Sequence, residues 1–173
     1  MKFPDQSPQG PAGGRQQQGP PSHALYRGHG FSLQMDDGWQ DKTIYTLIGP
    51  VTDGVQHNVM IQPDAEAEGM SLADYADWQM RTLEEEIRGC RLLLRQQVTL
   101  ACGLPAYRAI FSWYPSEHQR IIQEQLYVVA GTKAYRLTAT FTKKTRKTIG
   151  PAVERMMLSF TPEAEPASHQ QKK

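Results

Sequence analysis

The chain has 173 residues, 39% of them apolar, with 19 basic against 18 acidic side chains and a formal charge of +1. That length holds one domain of ordinary size plus tails and leaves no room for a second independent core, while the apolar fraction excludes disorder throughout. The near-zero charge excludes the domain-wide positive field on which most nucleic-acid binders rely.

Residues 1–24 contain five Pro, four Gly and five Gln. Such a composition cannot bury enough apolar surface to offset the entropy of ordering, so a disordered arm is expected. It opens Met1-Lys2-Phe3-Pro4-Asp5, without the apolar run of a secretory signal or a lipobox cysteine, and nowhere do about 18 apolar residues stand in a row. A soluble, cytoplasmic protein is the expectation. Residues 162–173 are again rich in Pro, Gln and Lys and are expected to be a second disordered tail, leaving a folded domain over 25–161.

Within the domain, Gly30 to Met35 alternates apolar and polar side chains with the period of a half-buried strand, and Asp36-Asp37-Gly38 ends it with a turn. Thr43 to Ile48 and Gln56 to Gln62 read as two further strands, with Gly49-Pro50 and Asp53-Gly54 as breaks between them. A three-stranded antiparallel meander is the simplest arrangement. The period then changes. Ser71 and Asp74 resemble a capping pair, and Leu72, Tyr75, Ala76, Gln79, Met80, Leu83 and Ile87 recur every three or four residues, which predicts a helix closed by Gly89. Four strand-like runs follow, Arg91 to Leu100, Ala106 to Tyr114, Arg120 to Val129 and Lys133 to Phe141, the last two joined tightly through Gly131-Thr132. A second helix is predicted from Ile149 to Leu158, begun by Pro151. The order βββ-α-ββββ-α gives an α+β fold, one antiparallel sheet of six or seven strands with two helices packed on it.

No catalytic constellation emerges. The histidines His23, His29, His57, His118 and His169 are scattered singly, without metal-ligand spacing; His57 in a strand and His118 in a turn are read as surface or satisfied core side chains. Cys90 and Cys102 lack a nucleophile signature and are read as reduced thiols. Gly28-His29-Gly30 has neither the strand before it nor the helix after it that a phosphate loop needs. Glu84-Glu85-Glu86 is read as the solvated face of its helix, and Lys143-Lys144-Thr145-Arg146-Lys147 as a solvated connector. The chain is read as a non-enzyme, with no cofactor and no metal.

Three faces are harder to read as plain core. By strand alternation Ile44 shares a face with Thr46, and Ile121 with Gln123 and Gln125; on the helix, Gln79, Leu83 and Ile87 stand at i, i+4 and i+8. Each face mixes apolar groups with amides or hydroxyls. An amide in such a place is at a rim, bonded internally, or awaits a ligand, because an unpaired buried amide is costly.

Gly30-Phe31-Ser32-Leu33, the run Gly38-Trp39-Gln40-Asp41-Lys42-Thr43-Ile44, the helix opening Leu72-Ala73-Asp74-Tyr75, and Met157-Leu158-Ser159-Phe160 resemble the DcrB-like family, over about Leu25 to Phe160. The resemblance implies a PsbP-like fold, an antiparallel sheet between helices. Within that family, cytoplasmic members without a signal peptide are similar to the effector-associated (Eag) chaperones of bacterial type VI secretion. What this implies is a homodimer that shields the N-terminal transmembrane helices of an effector until it is loaded onto the secretion spike, with no nucleic-acid partner and no membrane insertion of its own. Carried over residue by residue, the client groove would comprise Ile44 and Thr46 on an early strand, Gln79 and Ile87 on the helix, and Ile121 and Gln125 on a later strand. Thr46 departs from the more apolar residue of the family pattern, and the arm is longer than that pattern requires. The alternative reading is a non-catalytic module for a soluble protein or small ligand.

Overall fold

The structure, a computed structural model, describes residues 24–117 and 119–163; the expectations for the arm before Ala24 and the tail beyond residue 163 lie outside the described residues. The chain divides into two compact units, 1–41 and 42–173. In the first, β1 (Ala24–Arg27) and β2 (Ser32–Met35) form an antiparallel hairpin. Gly30, at φ +86°, takes the left-handed conformation in the turn, the Tyr26 and Phe31 rings lie 6.0 Å apart, and the Tyr26 hydroxyl donates to Asp41 Oδ2 at 3.0 Å. The strand expected from Gly30 to Met35 is present from Ser32 on, but it pairs with Ala24–Arg27 and not with the strand that follows. The expected three-stranded meander is therefore corrected: the nearer partner closes a shorter loop, at a smaller entropy cost, than the connection to Tyr45 would.

The second unit is an α+β domain built on one sheet. Its strands are β3 (Tyr45–Thr52), β4 (Val55–Asp64), β5 (Arg91–Thr99), β6 (Pro105–Ser116), β7 (Gln119–Ala130) and β8 (Lys133–Phe141). They lie in the order β3-β4-β8-β7-β6-β5, every neighbouring pair antiparallel. Asp53 and Gly54, at φ +52° and +76°, form the two corners of the β3–β4 hairpin, the positive pair that matches strand twist. Gly49-Pro50 does not end its strand as expected. It sits inside β3, where the register shifts between Ile48 and Val51; β3 is an edge strand, and an edge tolerates a bulge and a residue without an N–H.

Three helices complete the unit. After one 3-10 turn, Ala65–Ala67, α1 (Leu72–Glu86) begins where the Ser71 hydroxyl accepts from the Asp74 amide at 3.1 Å. It buries Tyr75, Ala76, Gln79, Met80 and Leu83 and leaves Glu84, Glu85 and Glu86 exposed. The basic run expected as a connector is instead a short helix, α2 (Lys143–Thr148), followed by α3 (Gly150–Leu158). Thr142 and Thr145 cap α2 reciprocally, and Arg146 turns inward, so this segment is only in part a solvated face.

Alternation along the strands separates two cores. On one face Tyr127, Phe111 and Ala109 pack with Tyr75, Ala76, Met80 and Leu83 of α1; on the other Leu126, Val128, Leu137 and Phe141 pack with Met157 of α3. The second face also encloses an ion-pair network. Arg108 Nε lies 2.7 Å from Glu124 Oε1, Arg108 Nη1 2.7 Å from Glu154, and Arg146 Nη2 2.9 Å from Glu124 Oε2, which ties α2 and α3 to the sheet. Among the described residues no helix is long and apolar enough to cross a membrane.

Candidate functional site: a trough of amides beside α1

The α1 face of the sheet is only partly covered by its helix. The antiparallel register sets Met60 opposite Thr138, Gln62 opposite Arg136, and Thr138 opposite Gln125, while Gln125 faces Ala109 on its other side and Gln123 faces Phe111. All these side chains project to the same face, because directly paired residues of antiparallel strands do. Beyond the end of α1, Met60, Gln62, Gln123, Gln125, Arg136 and Thr138 line a trough of about 220 Å³, closed by Leu83 of the helix and Ile87 at its C-cap, Trp113 of β6, and Ile44 just ahead of β3.

The trough is apolar at its walls and polar along its floor, and the floor is braced. Arg136 donates from Nη2 to Gln62 Oε1 at 2.7 Å and from Nη1 to Gln79 Oε1 at 2.8 Å. Gln79 in turn donates to Asp64 Oδ2 at 2.9 Å, where the Tyr75 hydroxyl also donates at 3.1 Å. The Tyr127 hydroxyl donates to Gln125 Oε1 at 2.6 Å, and Gln123 donates to Thr140 Oγ1 at 3.1 Å. Burial, and then the Asp64 carboxylate beside it, push the Tyr75 hydroxyl far above the usual tyrosine range; burial does the same to Tyr127, against the lowering pull of Arg136. Both therefore stay neutral donors at physiological pH. Trp113 adds a buried indole N–H with no partner among the described residues.

Of the six residues expected from sequence, Ile44, Ile87 and Gln125 line this trough together. Thr46 and Ile121 are direct cross-strand neighbours of two lining residues, Met60 and Trp113, but do not line it themselves. Gln79 lies behind the floor, buried, its oxygen and nitrogen both engaged inside the protein, so it holds Arg136 in place and is not open to a ligand. Met60, Gln62, Trp113, Arg136 and Thr138 were not anticipated. Strand alternation from Gln123 and Gln125 was the available signal, but it needed the β7–β8 and β8–β4 registers before it could reach them.

Cys90 and Cys102 are free thiols. Burial, with Glu84 nearby, raises the Cys90 thiol above its ordinary value. His57 is buried at 4% exposure on the opposite sheet face, and His118 lies outside the described residues.

Known proteins place this architecture. Among curated proteins none matches significantly. A crystal structure of a Pseudomonas aeruginosa protein of unknown function is similar with a TM-score of 0.68 and 24% identity, covering 82% of this chain and 98% of that one. The solution structure of cyanobacterial PsbP from Synechocystis sp. PCC 6803 is more distant, with a TM-score of 0.45 and 13% identity over 91% of this chain and 100% of that one. The DcrB family model matches residues 31–159, from the first hairpin through α3, and the chain belongs to the DcrB family.

Proposed function

We propose that this protein is a non-catalytic cytoplasmic chaperone or adaptor that holds the N-terminal transmembrane helices of a type VI secretion effector and aids their loading onto the secretion spike. The observation that carries the reading is the composition of the trough, in which Ile44, Leu83, Ile87 and Trp113 wall a floor of Gln62, Gln123, Gln125 and Thr138. An apolar helix in water exposes surface at a cost of roughly 25 cal/mol per Å², which such walls would offset. Amides on the floor would bond the Ser, Thr or backbone groups that transmembrane helices present at their packing faces.

The dimensions favour a docked helix over an enclosed ligand. A hollow of about 220 Å³ is below the roughly 300 Å³ at which pockets begin to engulf drug-sized molecules. A membrane-spanning helix of about 20 residues is about 30 Å long, more than one such trough covers, which supports a homodimer as the working unit. Co-expression with effector N-terminal segments tests the reading. It predicts a soluble complex whose mass corresponds to two copies of the chain with one client segment; client helices left insoluble beside folded protein would contradict it.

A further inference from the structure

Among the described residues that line the trough, Arg136 alone carries a charge. Its guanidinium is held from two sides, Nη2 donating to Gln62 Oε1 at 2.7 Å and Nη1 to Gln79 Oε1 at 2.8 Å. Both acceptors are neutral amides. No carboxylate among the described residues pairs with it directly. Asp64 is reached only through Gln79, and its Oδ2 already accepts from Gln79 and from the Tyr75 hydroxyl. A guanidinium has five N–H groups, and the brace uses two of them. Nε has no partner among the described residues, yet it is not sealed inside the protein as the Trp113 indole nitrogen is.

With the trough empty, water can reach this cation. An apolar helix laid across Ile44, Leu83, Ile87 and Trp113 expels that water, and a charge taken out of water without a partner is costly. The helix must therefore bring an acceptor. A carboxylate suits best, because bonds between charged partners are shorter and stronger than neutral ones, and a braced planar guanidinium matches carboxylate geometry. We infer that Arg136 is the specificity-determining residue of the trough, and that it binds a single Asp or Glu carboxylate set within the apolar stretch of the client helix. The inference rests on the helix-shielding reading above and adds the chemistry by which a client is told from other membrane helices. Acidic side chains are rare within membrane-spanning segments, where they are expensive, so such a group marks few helices. A helix that lacks it leaves Arg136 covered and unpaired and is rejected on that account.

Three carrier-protein fusions test it, each ending in about 20 Leu and Ala residues with Glu, Gln or Leu at the centre. Each is co-expressed with the full chain, and affinities are compared by competition at neutral pH. The expected result is that the Glu segment binds about tenfold more tightly than the Leu segment, with Gln between them. Arg136→Met should abolish this preference, so that the Leu segment binds at least as tightly as the Glu segment. A variant that only loosened the fold would weaken all three together and keep their order. Should Arg136→Met not fold, the Nε–H signal of Arg136 in isotope-labelled wild-type protein gives the answer, shifting with the Glu segment and not with the Leu segment. Equal binding of Glu and Gln, a Leu segment bound as tightly as Glu, or a Glu preference that survives Arg136→Met would overturn the inference and leave the helix-shielding reading standing. If none of the three segments is held, that reading fails and the inference falls with it.

Discussion

Nη1 of Arg136, on β8, donates to Oε1 of Gln79, on α1, across 2.8 Å. The bond joins the helix to the floor of the trough, and Gln79 passes the connection on to Asp64 at 2.9 Å. Replacing Gln79 with Ala leaves both partners short of a bond in a half-buried setting, for an expected loss of about 1–3 kcal/mol. Urea denaturation measures it. A change below about 0.5 kcal/mol would show that water replaces the amide and that the brace is unimportant.

The pairing of Glu124 with Arg108 and Arg146 makes a second, stronger prediction. Glu124 is 1% exposed and Arg108 7%, so removing one partner strands a buried charge. Glu124→Leu should cost on the order of 3–5 kcal/mol, and replacing Arg108 by Met in the same chain should recover part of that loss. Thermal or urea unfolding of the two variants decides. Recovery matters more than loss, because a merely bulky mismatch at position 124 would not be repaired from position 108.

Alkaline pH should destabilise the fold earlier than surface charge alone would. The Tyr75 and Tyr127 hydroxyls are both raised above the ordinary value of about 10, chiefly by burial. Above pH 10 the unfolded chain releases these protons while the folded one retains them. The unfolded state then binds fewer protons, and stability falls as pH rises. The stabilisation is fully present below pH 10 and drains away above it. Denaturation midpoints from pH 8 to 11 should decline beyond 10, and Tyr75→Phe should flatten the decline.

The two thiols should differ in reactivity. Cys102 is exposed, while Cys90 is half-buried and its thiol is raised by burial and by Glu84. Iodoacetamide at pH 8 should therefore label Cys102 well before Cys90, with the order read by peptide mass spectrometry. Equal rates would mean that the C-terminal end of α1 opens readily.

How much could be read from the chain beforehand depended on whether the signal was local. Ser71 with Asp74 and the three-to-four-residue repeat through Leu83 placed α1 to within a residue, because a cap and an amphipathic stripe are short-range. The β7–β8 hairpin was equally plain at Gly131-Thr132. Ala24–Arg27 was hidden by the Pro- and Gln-rich run beside it. The six-residue helix at Lys143–Thr148 was masked by its charges, since its stability comes from Arg146 reaching Glu124 across the sheet face. In the trough, Ile44, Ile87 and Gln125 were legible from alternation and stripe. Gln62, Arg136 and Thr138 were not, because they join the site only when β8 inserts between β4 and β7, a pairing no local pattern encodes.

The central claim is that the α1-side trough holds a client helix, and one comparison tests it most directly. Ile44→Asp and Gln125→Ala alter the trough; Leu47→Asp, at a side chain 50% exposed and paired with Val59, alters the opposite face. Ile44 is 48% exposed, so its replacement should shift stability by less than about 1 kcal/mol. Each variant is co-expressed with an effector N-terminal transmembrane segment, and the complex is purified and weighed. The account predicts that Ile44→Asp abolishes the complex, that Gln125→Ala weakens it several-fold, and that Leu47→Asp leaves it intact. A complex indifferent to both trough changes and lost with Leu47→Asp would contradict it.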